Sequence, residues 1–193
     1  GARKVVFSSS AHVYGSSPRD LPTDENHPLW LQNTYTTTKI IGEQLCELYY
    51  ANHGLSYTVL RLFNAYGKGQ ALGYFVPDIL AKAQAGQVTL SGGNTTKDWV
   101  YVEDVAKAFV LALATSFVGT VNIGTGIETD LASIAAIIAH ETGAKFSTSS
   151  TENATRMCAN NERARRVLGW SPTVRLSEGL NACLDTAKVK EPV

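Results

Sequence analysis

The sequence predicts an α/β fold built around a parallel sheet, and three observations support this prediction. Short, continuous apolar runs at residues 4–7, 57–62 and 120–124 are typical of strands covered on both faces. A helical run separates the first two strands, in the strand–helix–strand order of a right-handed parallel crossover. The hydrophobic fraction of 44% and the charged fraction of 18% are those of a globular protein.

The first strand leads into three serines, residues 8–10, and then into a polar loop over residues 16–34. Ligands bind at the carboxyl ends of strands in such folds, so the serine run is a candidate binding edge. A helix should run from about residue 34 to residue 52 and end near Gly54. Its apolar residues recur at helical spacing: Ile40, Ile41, Leu45, Leu48 and Tyr49.

The rest of the chain alternates short strands and helices. Asp104 and Asp130 each precede an apolar helical run, so we expect both residues to cap helices. Further helices are expected at residues 77–85, 161–168 and 176–187, and short strands at residues 88–90, 99–102, 120–124 and 145–147.

Composition excludes several classes of function. Lys and Arg together number 17, as do Asp and Glu, so the formal net charge is zero and no overall field favours nucleic acid or an anionic membrane. No apolar run approaches the ~20 residues of a membrane span, and the first ten residues do not resemble a signal peptide. The three cysteines have neither a CxxC nor a zinc-site spacing. We therefore expect a cytoplasmic protein with reduced cysteines, no metal site, and neither nucleic acid nor membrane as a partner.

A phenol and an ammonium, Tyr35 and Lys39, lie four residues apart at the start of the expected long helix. Residues at this spacing share one face of a helix. A free tyrosine has a pKa of about 10, and a nearby cation lowers that pKa by favouring the phenolate. Such a pair can move a proton on or off a hydroxyl while a serine of the preceding run positions the oxygen. The alternative interpretation is a solvent-facing pair without catalytic function.

Six ordered motifs carry a resemblance to a known family: FSSSAHVYG, YTTTKIIGEQL, VLRLFNAYGKGQ, KDWVYVEDVAKA, VNIGTG and RARRVLGWSP. In this order they resemble the extended short-chain dehydrogenase/reductases, and among these the NAD-dependent epimerase/dehydratase family that acts on nucleotide sugars. The resemblance implies the C-terminal portion of a Rossmann-like parallel sheet, residues 1–66 and 103–124. It also implies a small α/β substrate-binding lobe, residues 67–102 and 125–193, and NAD, or NADP, as the cofactor.

Carried over by motif, the resemblance implies functions for five residues near the sheet edge. Tyr35 would be the catalytic acid/base, and Lys39 would tune it and hold the nicotinamide ribose. Ser10 would be the catalytic hydroxyl partner. Ser8 and Phe63 would contact the nicotinamide side of the cofactor, unless Phe63 is only a packed aromatic ring.

Three further residues are implied to bind the substrate, a nucleotide sugar carrying UDP, dTDP or GDP. Asn64 would face the sugar-phosphate, unless it only forms a turn. Lys97 stands where the family usually has arginine, so one ammonium would replace a bidentate guanidinium at the diphosphate, unless Lys97 is solvated. The arginine of the family's Arg-Pro-Gly-Asp segment is missing, and the nearby Arg156 either replaces it or is a surface residue.

The family's glycine-rich turn, which holds the dinucleotide pyrophosphate at a helix N-terminus, has no counterpart here. Gly124 and Gly126 come nearest but lack the third glycine. We therefore expect a C-terminal portion of an enzyme with weak or no activity by itself. A parallel sheet cut in this way exposes a strand edge, so we expect a homodimer or association with the missing N-terminal half.

The two residues before the VYG sequence bear on the reaction. Dehydratases of the family usually carry an acidic pair there, but this chain has Ala11 and His12. A methyl group cannot protonate a leaving hydroxyl, so we expect a nucleotide-sugar epimerase, or a 4-keto reductase or dehydrogenase, rather than a dehydratase. His12 either binds a sugar hydroxyl or is structural. The alternative function is a non-catalytic remnant that serves as a sugar-nucleotide-binding or assembly module.

Overall fold

A computed structural model describes residues 1–188 of the chain, with eight strands, six α-helices and a short 3-10 helix (Ala11–Tyr14) in that range. The strands are β1 (Lys4–Ser10), β2 (Ser56–Leu62), β3 (Asn64–Tyr66), β4 (Gln87–Ser91), β5 (Thr96–Tyr101), β6 (Gly119–Ile123), β7 (Glu128–Asp130) and β8 (Lys145–Ser149). The helices are α1 (Thr34–His53), α2 (Phe75–Gln84), α3 (Val102–Ala114), α4 (Leu131–Thr142), α5 (Glu162–Leu168) and α6 (Leu176–Lys188). None of these helices is both long and apolar enough to cross a bilayer.

The predicted parallel sheet is present, with its strands in the order β1-β2-β6. Ser10 pairs with Leu62, and Leu62 pairs with Ile123, so the carboxyl ends of all three strands lie side by side. Helix α1 connects β1 to β2, which confirms the predicted strand–helix–strand unit. The sheet edge that bears the serine run therefore continues across the end of β2, where Phe63 follows.

Helix α1 begins and ends at strong local signals. The Asn33 side chain accepts a hydrogen bond from the backbone N–H of Thr36, which completes a capping box. Gly54 ends the helix with a left-handed φ of 66°. The apolar residues Ile41 and Leu45 lie on the exposed face of the helix. The face turned toward the sheet contains Thr36, Ile40 and Glu43, so its buried contacts are largely polar.

Helices α3 and α5 pack against this sheet, and the remaining elements build a second layer beside it. β5 pairs with β3 in parallel and with β7 in antiparallel orientation, and β4 pairs with β8 in parallel. Helices α2, α4 and α6 share one apolar core with these strands; Ile79, Trp99, Ile134 and Leu180 belong to it. This core supports the strand that carries Lys97 and Trp99.

The predicted cap at Asp104 is wrong, whereas the cap at Asp130 is confirmed by a 2.7 Å bond to the N–H of Ser133. Helix α3 starts two residues before Asp104, and the buried Asp104 carboxylate accepts bonds from the backbone N–H groups of Thr173 and Val174, both at 2.9 Å. Burial by itself would raise the pKa of Asp104, but these bonds and those from side chains hold it below the usual value. Asp104 thus joins α3 to the segment that precedes α6, a long-range contact that a local capping pattern does not reveal.

Two strands escaped the sequence prediction, β3 and β7. Each has three residues, too few to show the alternation by which strands are recognised. The cysteines agree with expectation, since Cys46, Cys158 and Cys183 are all free and the last two are buried.

Candidate active site

The ends of β1 and β2 border a cavity of about 480 Å³. Five of the residues to which the family resemblance assigns a site function line it: Ser8, Ser10, Tyr35, Phe63 and Asn64. Ala11 and His12, the two residues before the VYG sequence, line it as well. Ser10 accepts a hydrogen bond from the backbone N–H of His12 at 3.2 Å, which leaves its own hydroxyl hydrogen for an acceptor in the cavity. The structure therefore gathers the predicted hydroxyl partner, the phenol and the two residues after β2 around one space.

Helix α1 brings Tyr35 and Lys39 to the serine run. The Lys39 ammonium lies 5.6 Å from the centre of the Tyr35 ring and 5.5 Å from the centre of the Phe7 ring. It donates a 2.8 Å hydrogen bond to the backbone carbonyl of Ser8. The cation is thus held between the strand end and the phenol, with further N–H donors not used in this bond. The catalytic function of the pair stays a prediction.

A glycine lets α1 pack closely against β1. A Cβ atom at Gly42 would lie 2.2 Å from the Phe7 ring, a distance that real Cβ contacts do not show. Gly42 lies on the same side of α1 as Lys39, three residues further along the helix. The absence of a side chain at Gly42 therefore allows this part of α1 to lie close to the Phe7 ring of β1.

A buried ion pair continues this helix face beyond Lys39. Glu43 accepts hydrogen bonds from Arg61 at 3.0 Å and 2.6 Å, one on each carboxylate oxygen, and also accepts a bond from the Ser9 hydroxyl. The side chains of Arg61 and Glu43 are only 6% and 5% exposed. Burial alone would lower the pKa of Arg61, but its bonds to Glu43 and to Tyr14 raise it instead.

Polar contacts extend from Arg61 across the sheet. Arg61 donates to the Tyr14 hydroxyl at 3.0 Å, and Tyr14 donates to the Asn122 side-chain oxygen at 2.7 Å. Burial raises the pKa of Tyr14 to about 12, so this phenol stays protonated at neutral pH. A second ion pair, Glu25 with Arg163 at 3.3 Å, adjoins the network through the bond from Asn122 N–H to Glu25.

Sequence reasoning missed this network, although it left signals. Arg61 interrupts an otherwise apolar buried strand, and a charge in such a place needs a partner of opposite sign. Glu43 stands four residues after Lys39, on the same helix face. Each observation alone suggests a buried ion pair, but the sequence does not connect the two residues.

The two residues expected to bind the diphosphate both have hydrogen-bond partners within the chain. Lys97 is half-buried and donates a 3.0 Å bond to the Thr155 hydroxyl, and burial lowers its pKa. Arg156 forms a two-fold contact with Glu128 at 2.7 Å and 2.6 Å. Neither is among the residues that line the cavity. His12 does line the cavity. Burial lowers the pKa of its imidazole, and the positive charge of the nearby Lys97 lowers that pKa further.

Comparison with known proteins identifies the family of the chain. The sequence model of the NAD dependent epimerase/dehydratase family matches residues 1–124. The chain belongs to this family. The match ends just after β6, so it covers the parallel sheet, Tyr35, Lys39, Lys97 and the cavity.

Curated relatives of this family resemble nearly the whole chain. A putative UDP-glucose 4-epimerase of Methanocaldococcus jannaschii is 36% identical over 196 residues, covering 96% of this chain and 63% of the relative. A UDP-glucose 4-epimerase of Mycolicibacterium smegmatis is 34% identical, over 93% of this chain and 61% of the relative. UDP-glucuronic acid decarboxylase 6 of Arabidopsis thaliana is 27% identical. The chain thus spans about three-fifths of the length of the curated relatives it matches.

Solved structures agree in fold. The UDP-glucose 4-epimerase of Thermotoga maritima with UDP-glucose superposes with a TM-score of 0.88 at 30% identity, covering 98% of this chain and 64% of that protein. A UDP-glucuronic acid 4-epimerase of Bacillus cereus, in complex with UDP-glucuronic acid and NAD, superposes with a TM-score of 0.85 at 27% identity. The superposition covers 96% of this chain and 62% of that protein.

The cavity has features that fit a nicotinamide cofactor and a polar sugar. The Asn64 side-chain nitrogen and the Trp99 indole nitrogen are buried, and neither has a hydrogen-bond partner within the described residues. Both residues line the cavity. Buried donors of this kind are normally satisfied, so they indicate where acceptor atoms of a ligand would lie. Together with Ser10, which also lines the cavity, Asn64 and Trp99 supply hydrogen-bond donors around the space beside Tyr35.

Proposed function

We propose that this chain forms the proton-transfer and sugar-binding part of a nucleotide-sugar epimerase that uses NAD or NADP. The observation that carries the proposal is the meeting of Ser10 and Tyr35 at one cavity, with Lys39 fixed beside the phenol. The family and the activities of the similar proteins support a UDP-sugar as substrate. A 4-keto reductase or dehydrogenase would use the same residues.

The residues divide the proton chemistry among them. Ser10 donates a hydrogen bond to the reacting sugar oxygen, and Tyr35 takes the hydroxyl proton as the carbon is oxidised to a ketone. Lys39 holds its ammonium 5.6 Å from the centre of the Tyr35 ring and binds the nicotinamide ribose. Tyr35 returns the proton when the ketone is reduced from its opposite face. Bound NAD supplies the redox step, because it accepts the hydride from the sugar carbon and gives it back.

The remaining residues would bind and select the ligands. Ser8 and Phe63 contact the nicotinamide side, and Asn64 uses its unpartnered nitrogen on the sugar-phosphate. Lys97 and Arg156 are proposed to bind the diphosphate. To do so, Lys97 would have to leave the Thr155 hydroxyl, and Arg156 would have to leave the Glu128 carboxylate.

We further propose that residues 1–66 and 103–124 belong to a partial NAD-binding domain and that residues 67–102 and 125–193 form the substrate lobe. The parallel β1-β2-β6 sheet supports the first group. The 193 residues by themselves should bind NAD weakly and turn over slowly, since the contacts proposed above reach only the nicotinamide end. A low-micromolar NAD affinity measured by calorimetry on the chain would contradict this.

Association with a second polypeptide is part of the proposal. Leu45, Leu48 and Tyr49 on the outer face of α1 are about half exposed, at 48%, 51% and 52%. They support a homodimer or a complex with further parts of the enzyme. The free cysteines support a location in the cytoplasm. Light scattering of the chain would measure the oligomeric state.

The test of the catalytic proposal compares two tyrosines on one helix. Tyr35→Phe should lower the interconversion of UDP-glucose and UDP-galactose, in the presence of added NAD, by about 10²-fold or more, as expected for loss of a proton-transfer group. Tyr50→Phe removes a hydroxyl from a residue of the same helix that is 45% exposed and has no proposed function, so it should leave turnover unchanged. Calorimetry with UDP-glucose should give equal affinities for both variants. If UDP-glucose binds but Tyr35→Phe and the parent chain are equally inactive, the non-catalytic binding module is the better description.

A further inference from the structure

Glu43 lies on the helix face that carries Tyr35 and Lys39, since the three residues follow one another at a spacing of four positions. The three side chains make different contacts along β1. Tyr35 lines the cavity, Lys39 donates to the Ser8 carbonyl, and Glu43 accepts from the Ser9 hydroxyl. The cavity edge of the sheet and the helix are therefore in register over two turns.

We propose that Glu43 and Arg61 form a positioning pair that aligns α1 with the ends of β1 and β2, and so places Tyr35 and Lys39. The inference rests on the proposed function, since it concerns the same two residues. One carboxylate holds β1 through Ser9 and β2 through Arg61. A helix tied to both strands at one point cannot slide along either of them without breaking these bonds.

Ser9 lies between the two serines whose positions the pair is proposed to fix. Its neighbour Ser8 offers the carbonyl that binds Lys39, and its other neighbour Ser10 lines the cavity. Holding the Ser9 side chain fixes the strand on both sides of it. The same carboxylate that orients the helix therefore also orients the two hydroxyl-bearing residues that face the ligand.

An ion pair suits this purpose better than an apolar contact. The flat guanidinium meets both carboxylate oxygens, so the contact defines a direction as well as a distance. Two further donors of Arg61 are engaged by the Tyr14 hydroxyl and the Glu25 carbonyl, at 3.0 Å and 3.2 Å. Arg61 is thus held from several sides and gives Glu43 a fixed partner.

The experiment observes the two placed side chains in the folded chain, without turnover. NMR resonances of the Lys39 ammonium and the Tyr35 ring are recorded, assigned with Lys39→Arg and Tyr35→Phe. In Glu43→Gln, the ammonium protons should exchange with water about tenfold faster, because a hydrogen bond to a charged group is weakened, and the Tyr35 ring signals should shift. Glu47→Gln, which removes the same charge from an exposed position one turn further along α1, should change neither.

A purely structural function of Glu43 would lower stability but leave these signals of the folded form unchanged. Ser9→Ala is the second variant, to be used where Glu43→Gln does not fold. It deletes one hydroxyl contact of Glu43, keeps the ion pair, and should shift the Lys39 and Tyr35 signals in the same direction by a smaller amount. Unchanged signals in either folded variant would overturn the inference, as would an equal shift in Glu47→Gln. Failure of the proposed function would instead appear only in the turnover of Tyr35→Phe.

Discussion

Two arginine–carboxylate pairs in this molecule have nearly the same geometry and very different surroundings. Arg61 meets Glu43 at 3.0 Å and 2.6 Å beneath the serine run, and Arg156 meets Glu128 at 2.7 Å and 2.6 Å in the second layer. The first pair is 6% and 5% exposed, whereas the second is 61% and 21% exposed. The difference shows that contact geometry alone does not say what an ion pair does for the fold.

Solvent decides the consequence of breaking each pair. Removal of one partner of a buried pair leaves a charge without water or a counter-ion, which is strongly destabilising. An exposed arginine or glutamate that loses its partner is simply hydrated. The buried pair can therefore hold α1 in place, while the exposed pair is free to open and to let Arg156 bind something else.

The largest effect is expected from Arg61→Met. Methionine keeps most of the apolar stem but leaves the Glu43 carboxylate buried without a cation, so unfolding in urea should require about 3–5 kcal/mol less. The double variant Glu43→Gln with Arg61→Met removes both charges and should recover part of this loss. A loss below about 1 kcal/mol in the single variant would mean that Glu43 finds water, and the contrast between the two pairs would then disappear.

An intermediate effect is expected from Gly42→Ala, which tests how closely the buried side is packed. The new methyl would meet the Phe7 ring at 2.2 Å, so the helix or the ring has to move. Overpacking outweighs the better helix propensity of alanine, and a net loss of about 1–2 kcal/mol is expected in urea unfolding. Adding Phe7→Leu makes room for the methyl group and should reduce the penalty of Gly42→Ala measured in that background. An equal penalty in both backgrounds would show that Phe7 is not the obstacle.

The parts of the fold and of the candidate site that the sequence predicted are those formed by residues close together in the chain. The α1 helix, the parallel strands β1 and β2 and the spacing of Tyr35 and Lys39 are local patterns, and they were recognised. The contacts of Glu43 with Arg61 and of Arg156 with Glu128 join residues that are 18 and 28 positions apart. No periodicity connects such residues, so the sequence placed Arg156 near the substrate without revealing the carboxylate that binds it.

The expected cap at Asp104 failed for a related reason. The pattern of an acidic residue before an apolar helix was correctly observed, but the carboxylate is used by Thr173 and Val174, about 70 positions away. A buried carboxylate accepts bonds from whatever donors the tertiary fold brings to it. Local signals therefore predict elements well and predict the partners of buried charges poorly.

The smallest effect on stability is expected from Arg156→Ala, and its pH dependence identifies the ion pair. The hydrogen bonds from Arg156 are the main cause that holds the pKa of Glu128 below its usual value. A carboxyl group whose pKa is lower in the folded than in the unfolded state stabilises the fold at pH values above its unfolded pKa, which is about 4.3 for glutamate. This stabilisation is lost as the pH falls through the pKa of the folded state. The difference in unfolding free energy between the parent and Arg156→Ala should therefore be small at pH 7, smaller than that of Gly42→Ala, and should vanish in acid.

Glu128→Gln is the control that separates stability from binding. It weakens the same ion pair from the other side but keeps the guanidinium, so its stability loss at pH 7 should equal that of Arg156→Ala. If Arg156 binds the diphosphate as proposed, UDP-glucose affinity measured by calorimetry should fall about tenfold in Arg156→Ala, the effect of losing one charge-assisted contact. In Glu128→Gln the affinity should stay or improve, because the arginine no longer has to leave a carboxylate partner to reach the ligand. Equal affinities in all three proteins would make Arg156 a surface residue and leave the diphosphate to Lys97.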